Sequence, residues 1–115
     1  EYGYLAGGLQ KIGIVYVHLF DHSRLAGLAQ AAATVKVIRS AFTGRYVSSG
    51  NYTTVADIEN ALTSGAADLI SMSRPFIANP DLTRRLREGA ALNEPDRATF
   101  YGGGAKGYTD YPTLA

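Results

Sequence analysis

The sequence predicts an α/β protein built around a parallel sheet, and two observations support this. Strand-like and helical segments alternate along the 115 residues, as in βαβ units with right-handed crossovers. The run IVYVHLF at residues 14–20 is apolar almost throughout, which is typical of a strand buried on both faces. The three predicted strands make a thin sheet with uncovered edges, and the chain begins with Glu1 rather than Met. We therefore expect either a processed start or a piece of a longer protein.

Composition narrows the class of protein. Hydrophobic residues make up 46% of the chain and charged residues 18%, which is typical of a globular protein. The net charge of +1 gives no strong attraction to nucleic acid or acidic membranes, and no apolar run approaches the roughly 18 residues that span a bilayer. The absence of cysteine excludes disulfides and cysteine-based zinc sites and fits a reducing compartment. We expect a cytoplasmic protein with no nucleic-acid or membrane partner.

The first predicted helix covers residues 1–13 and ends at Gly13, and the strand at 14–20 follows it. The apolar face of this helix is expected to contain Leu5, Leu9 and Ile12. A second helix is predicted over 31–42, and RYVSS at 45–49 is the second strand. The inward face of the second helix is expected to contain Val35, Ile38 and Phe42.

The alternation continues after residue 50. Thr53 or Thr54 is suited to cap a third helix that ends at Gly65, and ADLISMS at 67–73 predicts the third strand. The inward face of the third helix is expected to contain Ile58, Ala61 and Leu62.

A last helix is predicted to begin with Asn79 as its cap and Pro80 as its first residue, and to end at Gly89. Its inward side chains are expected to be Leu82 and Leu86. Its arginines are expected to form a solvated face of Arg84, Arg85 and Arg87.

The segment FYGGGAKGYTDYP at residues 100–112 cannot form a regular helix, because its glycines are costly in one and Pro112 would end it. It is either a flexible linker or an ordered loop whose rings pack on a ligand, and we favour the ordered loop. Tyr101 and Tyr108 are then either core residues or ligand-facing rings.

Two turns after predicted strands carry the residues best suited to bind a ligand, because α/β proteins bind ligands at the carboxyl ends of their strands. Gly50 allows the backbone to approach a ligand closely. The next strand ends with Ser71 and Ser73, followed by Arg74, whose planar cation suits phosphate. We predict a phosphate site here; the alternatives are a plain turn glycine and a surface ion pair. No glycine-rich dinucleotide motif or P-loop follows a strand.

The histidines make weaker candidates. His18 lies in the middle of a strand and is predicted to be a packed core imidazole rather than a base. Asp21 and His22 form either a catalytic pair or a helix-cap or turn pair, and we favour the second interpretation. With scattered carboxylates, two histidines make no convincing metal site, so no catalytic or metal-binding residue is predicted.

The segment AADLISMSRPFIANPDLTRRLREGAALNEPDRATFYGGGAKGYTDYP closely resembles the C-terminal end of the Old Yellow Enzyme family of FMN-dependent ene-reductases. RPFIANPDL and TFY…GYTDYP recur together in that family at this spacing. GIVYVHLFDHS resembles the family's sixth barrel strand, and IRSAFTGRYVSSGNYT resembles its seventh strand with the preceding helix. The resemblance covers nearly the whole chain, with residues 21–36 matching least well.

This resemblance implies that residues 1–115 are a single partial domain, the C-terminal part (about strands six to eight) of a (β/α)8 TIM barrel. It implies FMN as cofactor and NAD(P)H as reductant, with hydride passing through FMN to the β-carbon of an activated alkene such as an enone or maleimide. The missing N-terminal barrel strands would be the structural partner of this segment. The alternatives are a non-catalytic half-barrel that binds FMN or another phosphate ligand, and a truncated gene product.

The resemblance also assigns site residues. Tyr101 matches the family's aromatic residue that lines the substrate pocket over the flavin. The residues that match the two phosphate-binding turns are Gly50, Asn51, Ser71, Ser73 and Arg74. The family commonly has glycine in place of Ser73, and serine is unstrained there if its φ is negative. The family's groups that hold the substrate carbonyl and donate the proton match nothing in this chain, so the isolated 115 residues are expected to be inactive.

Overall fold

The computed structural model describes residues 1–20, 29–50 and 52–115, with residues 29–31 described by their backbone alone. The chain divides into two compact units, Glu1–Ser71 and Met72–Ala115. Asp21, His22 and Asn51 lie outside the described residues, so their predicted roles stay predictions. The prediction of a single partial domain over residues 1–115 likewise stays a prediction.

The first unit is a three-stranded parallel sheet, in the order β1-β2-β3, with helices between its strands. Its elements along the chain are α1 (Tyr2–Ile12), β1 (Tyr16–Phe20), α2 (Ala29–Ala41), β2 (Arg45–Ser49), α3 (Val55–Thr63) and β3 (Leu69–Ser71). The predicted order of helices and strands in this unit is confirmed. Local signals placed the boundaries well: Gly13 ends α1 in the left-handed conformation at φ 83°. Thr54 caps α3 by accepting a hydrogen bond from the Asp57 N–H at 3.1 Å.

The core of the first unit forms where α1 packs on α2. Ala6, Ile38 and Phe42 are buried together there. Ile38 and Phe42 are two of the three inward residues predicted for the second helix, and those two predictions are confirmed. The predicted face of α1 was wrong in part, because Leu5 is 57% exposed and Ile12 is 75% exposed. The two helices meet through the small residues of α1 instead. A Cβ on Gly3 would lie 2.9 Å from Val37 Cγ1, too close for any residue larger than glycine without a shift.

Strand β1 alternates between half-buried and exposed residues, so the prediction of burial on both faces was wrong for this structure. Val17 and Leu19 pack against the core between α1 and α2. The opposite face is exposed, because no described residue of this unit covers it. The residues on this exposed face are Tyr16, His18 and Phe20. His18 is therefore not the packed core imidazole that the sequence suggested.

The second unit contains two short helices and one 3₁₀ turn, which are α4 (Arg74–Ala78), α5 (Leu82–Glu88) and Arg97–Thr99. The predicted start of the last helix was wrong. A separate short helix that was not expected, α4, precedes it, and Asn79 caps the C-terminal end of α4 instead of the start of α5. Asn79 is fully buried, and its amide donates to Pro75 O at 2.8 Å while its Oδ1 accepts from the Asn93 N–H at 2.7 Å. The predicted end at Gly89 is confirmed, with φ 64°.

Helix α5 buries Leu82 completely, as predicted, and half-buries Leu86. Its arginines do not form one solvated face. Arg84 and Arg87 are exposed, but Arg85 is 5% exposed, because its guanidinium bonds to backbone oxygens from the segment that follows α5. Within the ranges that the structure describes, no helix has the length and apolar character needed to cross a membrane.

Candidate functional site

The three strands of the first unit end level with one another. Phe20 lies opposite Ser49 across the β1–β2 pair, and Ser49 lies opposite Ser71 across the β2–β3 pair. Gly50 follows Ser49 directly, so the structure brings two of the predicted site residues, Gly50 and Ser71, to the same carboxyl edge of the sheet. This is the edge at which parallel α/β proteins bind ligands.

Gly50 adopts a conformation that favours glycine. Its φ is 151°, a value that residues with a side chain rarely adopt. The backbone path after β2 therefore requires glycine. This angle is compatible with both interpretations of Gly50, the ligand-binding turn and the plain turn glycine, so its role in a phosphate site stays a prediction.

Buried hydroxyl groups hold the turn around Gly50. The Tyr52 hydroxyl donates to Ser48 Oγ at 2.9 Å, and both residues are buried, which ties the two ends of the turn together. The Ser49 hydroxyl donates to Leu19 O at 3.2 Å and so links the ends of β2 and β1. Sequence reasoning missed Tyr52 as a positioning residue. The available signal was an aromatic hydroxyl four residues after a serine in SSGNY.

Two further predicted residues open the second unit. Ser73 has φ −91° and ψ −61°, within the ordinary right-handed region. The expectation that serine is tolerated here at negative φ is therefore met, and no strain arises from the missing glycine. Arg74 begins α4 and its side chain is exposed, so its guanidinium is accessible to a ligand. That all five phosphate-site residues gather around one ligand stays a prediction.

The aromatic residues of the tail are not core residues. Tyr101 is 99% exposed and Tyr108 is 83% exposed. The Tyr101 ring contacts the ring of Phe100 edge-on, with the ring centres 6.2 Å apart. Of the two interpretations left open by the sequence, the ligand-facing one is the one compatible with this exposure.

The tail forms an ordered loop rather than a flexible linker. Tyr111 Oη accepts a hydrogen bond from the Asp96 N–H at 2.8 Å, which joins the two sides of the loop. Gly107, at φ 72°, packs so closely on the Thr99 side chain that a Cβ would collide with it. The Gly107 N–H donates to Asp110 Oδ1 at 2.6 Å. These contacts explain why glycine stands at this position of the tail.

The opposite edge of the sheet carries a cluster of paired charges, which we call the Asp68 cluster. Asp68 accepts hydrogen bonds from the Tyr46 N–H at 2.9 Å and from Arg39 and Arg45 at 3.2 Å each. Arg39 also donates to Gly65 O at 2.8 Å and lies over the Tyr46 ring at 5.0 Å. The Tyr46 N–H, with the two arginines, holds the pKa of Asp68 below its ordinary value of 3.8, although partial burial opposes this.

A cavity of about 600 Å³ opens at this amino edge, beside the Asp68 cluster. Its lining residues are Val15, Arg39, Phe42, Thr43, Gly44, Arg45 and Asp68. Both arginines there are already paired with Asp68, and the amino ends of strands in α/β barrels serve stability rather than catalysis. We therefore assign the ligand site to the carboxyl edge. Within the described ranges, no group of three or more His, Asp or Glu residues is arranged to hold a metal ion.

Known proteins with similar sequences identify the family. A profile of the NADH:flavin oxidoreductase / NADH oxidase family matches residues 12–93. The chain belongs to this family. Within it, the chain is 39% identical over 115 residues to 12-oxophytodienoate reductase 2 of Arabidopsis thaliana, covering 96% of this chain and 30% of that protein. A 12-oxophytodienoate reductase-like protein of Solanum lycopersicum is 40% identical over 112 residues, with the same coverage.

Solved structures of NADH:flavin oxidoreductases show the same fold. Morphinone reductase superposes with a TM-score of 0.87 at 43% identity, over 98% of this chain and 30% of that one. The old yellow enzyme of Trypanosoma cruzi superposes with a TM-score of 0.82 at 27% identity, over 99% of this chain and 29% of that one. The predicted fold class is confirmed: the chain folds as part of an Old Yellow Enzyme-type TIM barrel. It spans about 30% of the length of these relatives.

Proposed function

We propose that these residues are the FMN-binding C-terminal part, about strands six to eight, of an NAD(P)H-dependent ene-reductase. The observation that carries the proposal is the level carboxyl edge of the sheet, with Gly50 at φ 151° beside Ser71. Membership of the NADH:flavin oxidoreductase family supports a flavin cofactor and a nicotinamide reductant. A morphinone reductase solved in complex with tetrahydroNAD, 42% identical to this chain, supports the same pair.

The described residues fit an FMN phosphate group. Gly50 has a φ that requires glycine, Ser73 has an ordinary right-handed conformation, and the Arg74 side chain is exposed. The phosphate would be held by backbone N–H groups and the Arg74 guanidinium, from the set Gly50, Asn51, Ser71, Ser73 and Arg74. When bound, FMN supplies the hydride chemistry, with NAD(P)H as electron source and an activated alkene, such as an enone or maleimide, as acceptor.

Each residue of this segment then has a binding or orienting role. Arg74 neutralises phosphate charge through a planar fork of donors, and charge-assisted bonds of this kind are stronger than neutral ones. The hydrogen bond from the Tyr52 hydroxyl to Ser48 Oγ holds the turn around Gly50. Tyr101 lines the pocket in which the alkene lies. We assign proton transfer to none of these residues.

The test is an FMN titration of the whole polypeptide that carries these residues, stripped of flavin, as wild type and as Arg74→Ala. Loss of a charged hydrogen bond of about 1.5–3 kcal/mol should weaken FMN binding roughly ten- to hundredfold. Arg87→Ala is the matched control, because it removes an exposed arginine of α5. Equal FMN affinity in wild type and Arg74→Ala would refute the assigned phosphate site.

A non-catalytic half-barrel that binds FMN or another phosphate ligand is the second candidate. It is favoured by the sequence, because the family's groups that hold the substrate carbonyl and donate the proton match nothing in this chain. The two candidates differ in one assay, since the second predicts flavin binding without reduction of an enone by NADPH. A cytoplasmic location is proposed on the absence of cysteine.

A further inference from the structure

The second unit contains a buried arginine that the phosphate site does not use. Arg85 donates from Nε to Asp81 Oδ1 at 2.7 Å. It also donates from Nη1 to Ala91 O at 2.6 Å and from Nη2 to Pro112 O at 2.8 Å. Each nitrogen of the Arg85 guanidinium therefore donates to a different acceptor. A lysine ammonium group in the same place lacks the planar arrangement of donors and could not make these three bonds in one fixed geometry.

These bonds close a long loop at its base. Ala91 and Pro112 stand at the two ends of what we call the 91–112 loop, and one guanidinium holds both. The Asn93 side-chain amide donates a further bond to Pro112 O at 2.8 Å. Asp81, which pairs with Arg85, also accepts from the Leu114 N–H at 2.7 Å. Long loops without regular structure are ordered only when such contacts offset their conformational entropy.

Two more contacts continue from the base toward the end of the loop. The Asp96 N–H donates to Tyr111 Oη, and farther along Thr99 packs against Gly107. Tyr101 lies between Thr99 and Gly107 in the chain. Its ring is 99% exposed and contacts the Phe100 ring, so its own packing hardly constrains it. The loop backbone therefore sets the position of the Tyr101 Cα, and with it the region that the ring can reach.

We infer that Arg85 is a positioning residue for Tyr101, which it orients by fastening both ends of the 91–112 loop. This inference rests on the proposed function, in which Tyr101 lines the alkene pocket. A displacement of about 1 Å in a substrate-positioning group can lower a rate by up to a hundredfold. The competing interpretation is that Arg85 stabilises the fold and leaves alkene binding unaffected.

The test uses the whole polypeptide that carries these residues, loaded with FMN, with NADPH as reductant and cyclohex-2-enone as alkene. We expect Arg85→Gln to raise the KM for cyclohexenone roughly tenfold while flavin reduction by NADPH changes less than about twofold. The double variant Arg85→Gln/Tyr101→Ala should have the same KM for cyclohexenone as Tyr101→Ala alone, because Arg85→Gln acts only through the Tyr101 ring, which the second change has already removed. Arg87→Gln, in the same helix but exposed, is the control and should match wild type.

Tryptic cleavage reports on the loop itself, since Arg97 and Lys106 lie within it and Lys11 lies in the first unit. Arg85→Gln should accelerate cleavage after Lys106 relative to cleavage after Lys11. Faster cleavage with an unchanged KM for cyclohexenone would overturn the inference, and so would additive effects of Arg85→Gln and Tyr101→Ala.

A milder variant covers the case in which Arg85→Gln does not fold. Tyr111→Phe removes the hydroxyl group that accepts the hydrogen bond of the Asp96 N–H within the 91–112 loop. This variant should raise the KM for cyclohexenone less than Arg85→Gln does. An unchanged KM in Tyr111→Phe, with faster cleavage after Lys106, would overturn the inference. A wild-type protein that binds no FMN or reduces no alkene would refute the proposed function and the inference together. The wild-type measurement alone therefore distinguishes that failure from a failure of the Arg85 role.

Discussion

Gly50 shows how a single backbone angle explains the choice of a residue type. The sequence suggested a glycine where a ligand approaches the main chain, and the structure gives the physical reason in its φ of 151°. The turn is further held by the Tyr52–Ser48 hydrogen bond, which sequence reasoning did not find, because a strand pattern says nothing about which hydroxyl folds back over a turn. A glycine in this turn was predictable from the sequence, whereas the hydrogen bond between Tyr52 and Ser48 that holds the turn was not.

Gly50→Ala should destabilise the fold by about 1–3 kcal/mol, because a Cβ is strained at this φ. The turn that relaxes this strain should also bind FMN more weakly. Urea unfolding followed by circular dichroism, together with an FMN titration, measures both effects. Gly8→Ala in α1 is the control: nothing lies within 4 Å of its Cβ position, so it should stabilise by up to about 1 kcal/mol. Equal unfolding midpoints for wild type and Gly50→Ala would contradict the strain argument.

At the scale of elements, the sequence predicted what local signals control. Gly13, Thr54 and Gly89 end or cap helices where expected, since caps depend on a few neighbouring residues. Asn79 and Arg85 were misassigned, because their partners lie 14 and 27 residues away in sequence. No periodicity carries that information, so contacts between distant segments decided both residues.

The burial of β1 was mispredicted for a different reason. An apolar run indicates that both faces of a strand favour burial. It does not indicate whether the same chain contains the residues that pack on both faces. Val17 and Leu19 find α1 and α2, while Tyr16 and Phe20 are 56% and 63% exposed. The sequence preference is consistent with a barrel interior, and the TIM-barrel relatives extend well beyond the span of this chain.

The Asp68 cluster makes the β2–β3 pairing sensitive to acid. The pKa of Asp68 in the folded state is below its ordinary value of 3.8. The Asp68 carboxylate therefore stabilises the fold above pH 3.8, and this stabilisation is lost as the pH falls through the folded-state pKa. Asp68→Asn should therefore be less stable than wild type at neutral pH, and the difference should shrink as the pH falls through the folded-state pKa of Asp68. Urea unfolding over a series of pH values from neutral to acid measures this, with Glu59→Gln, an exposed residue of α3, as the control. A difference that stays constant with pH would show that the carboxylate charge is not what stabilises the pairing.

At the scale of the whole molecule, large apolar side chains remain exposed on the first unit. Tyr4 is 91% exposed, Ile12 is 75% exposed and Phe20 is 63% exposed. Exposed apolar side chains occur singly on most proteins, so these residues by themselves do not define a binding surface. The chain covers about 30% of the length of its relatives.

The isolated 115-residue chain should not reduce an enone with NADPH, even when FMN is supplied in excess. The assay is NADPH oxidation that depends on cyclohex-2-enone, with a full-length 12-oxophytodienoate reductase as the positive control. Turnover by the purified chain, shown by mass spectrometry to be free of longer protein, would contradict this prediction. It would require the described residues to supply a proton donor that their arrangement does not reveal.

The two edges of the sheet differ in a way that matters for design. At their amino ends, β2 and β3 are joined by the hydrogen bonds of Asp68 to Arg45 and to the Tyr46 N–H, whereas at their carboxyl ends both strands finish in serine. Ser71, at the end of β3, can therefore be exchanged without breaking the side-chain bonds of the amino edge, provided that Gly50 and the Tyr52–Ser48 bond are kept. Variants at Ser71 should unfold at the same urea concentration as wild type, which makes this position the one at which the carboxyl edge is most open to design.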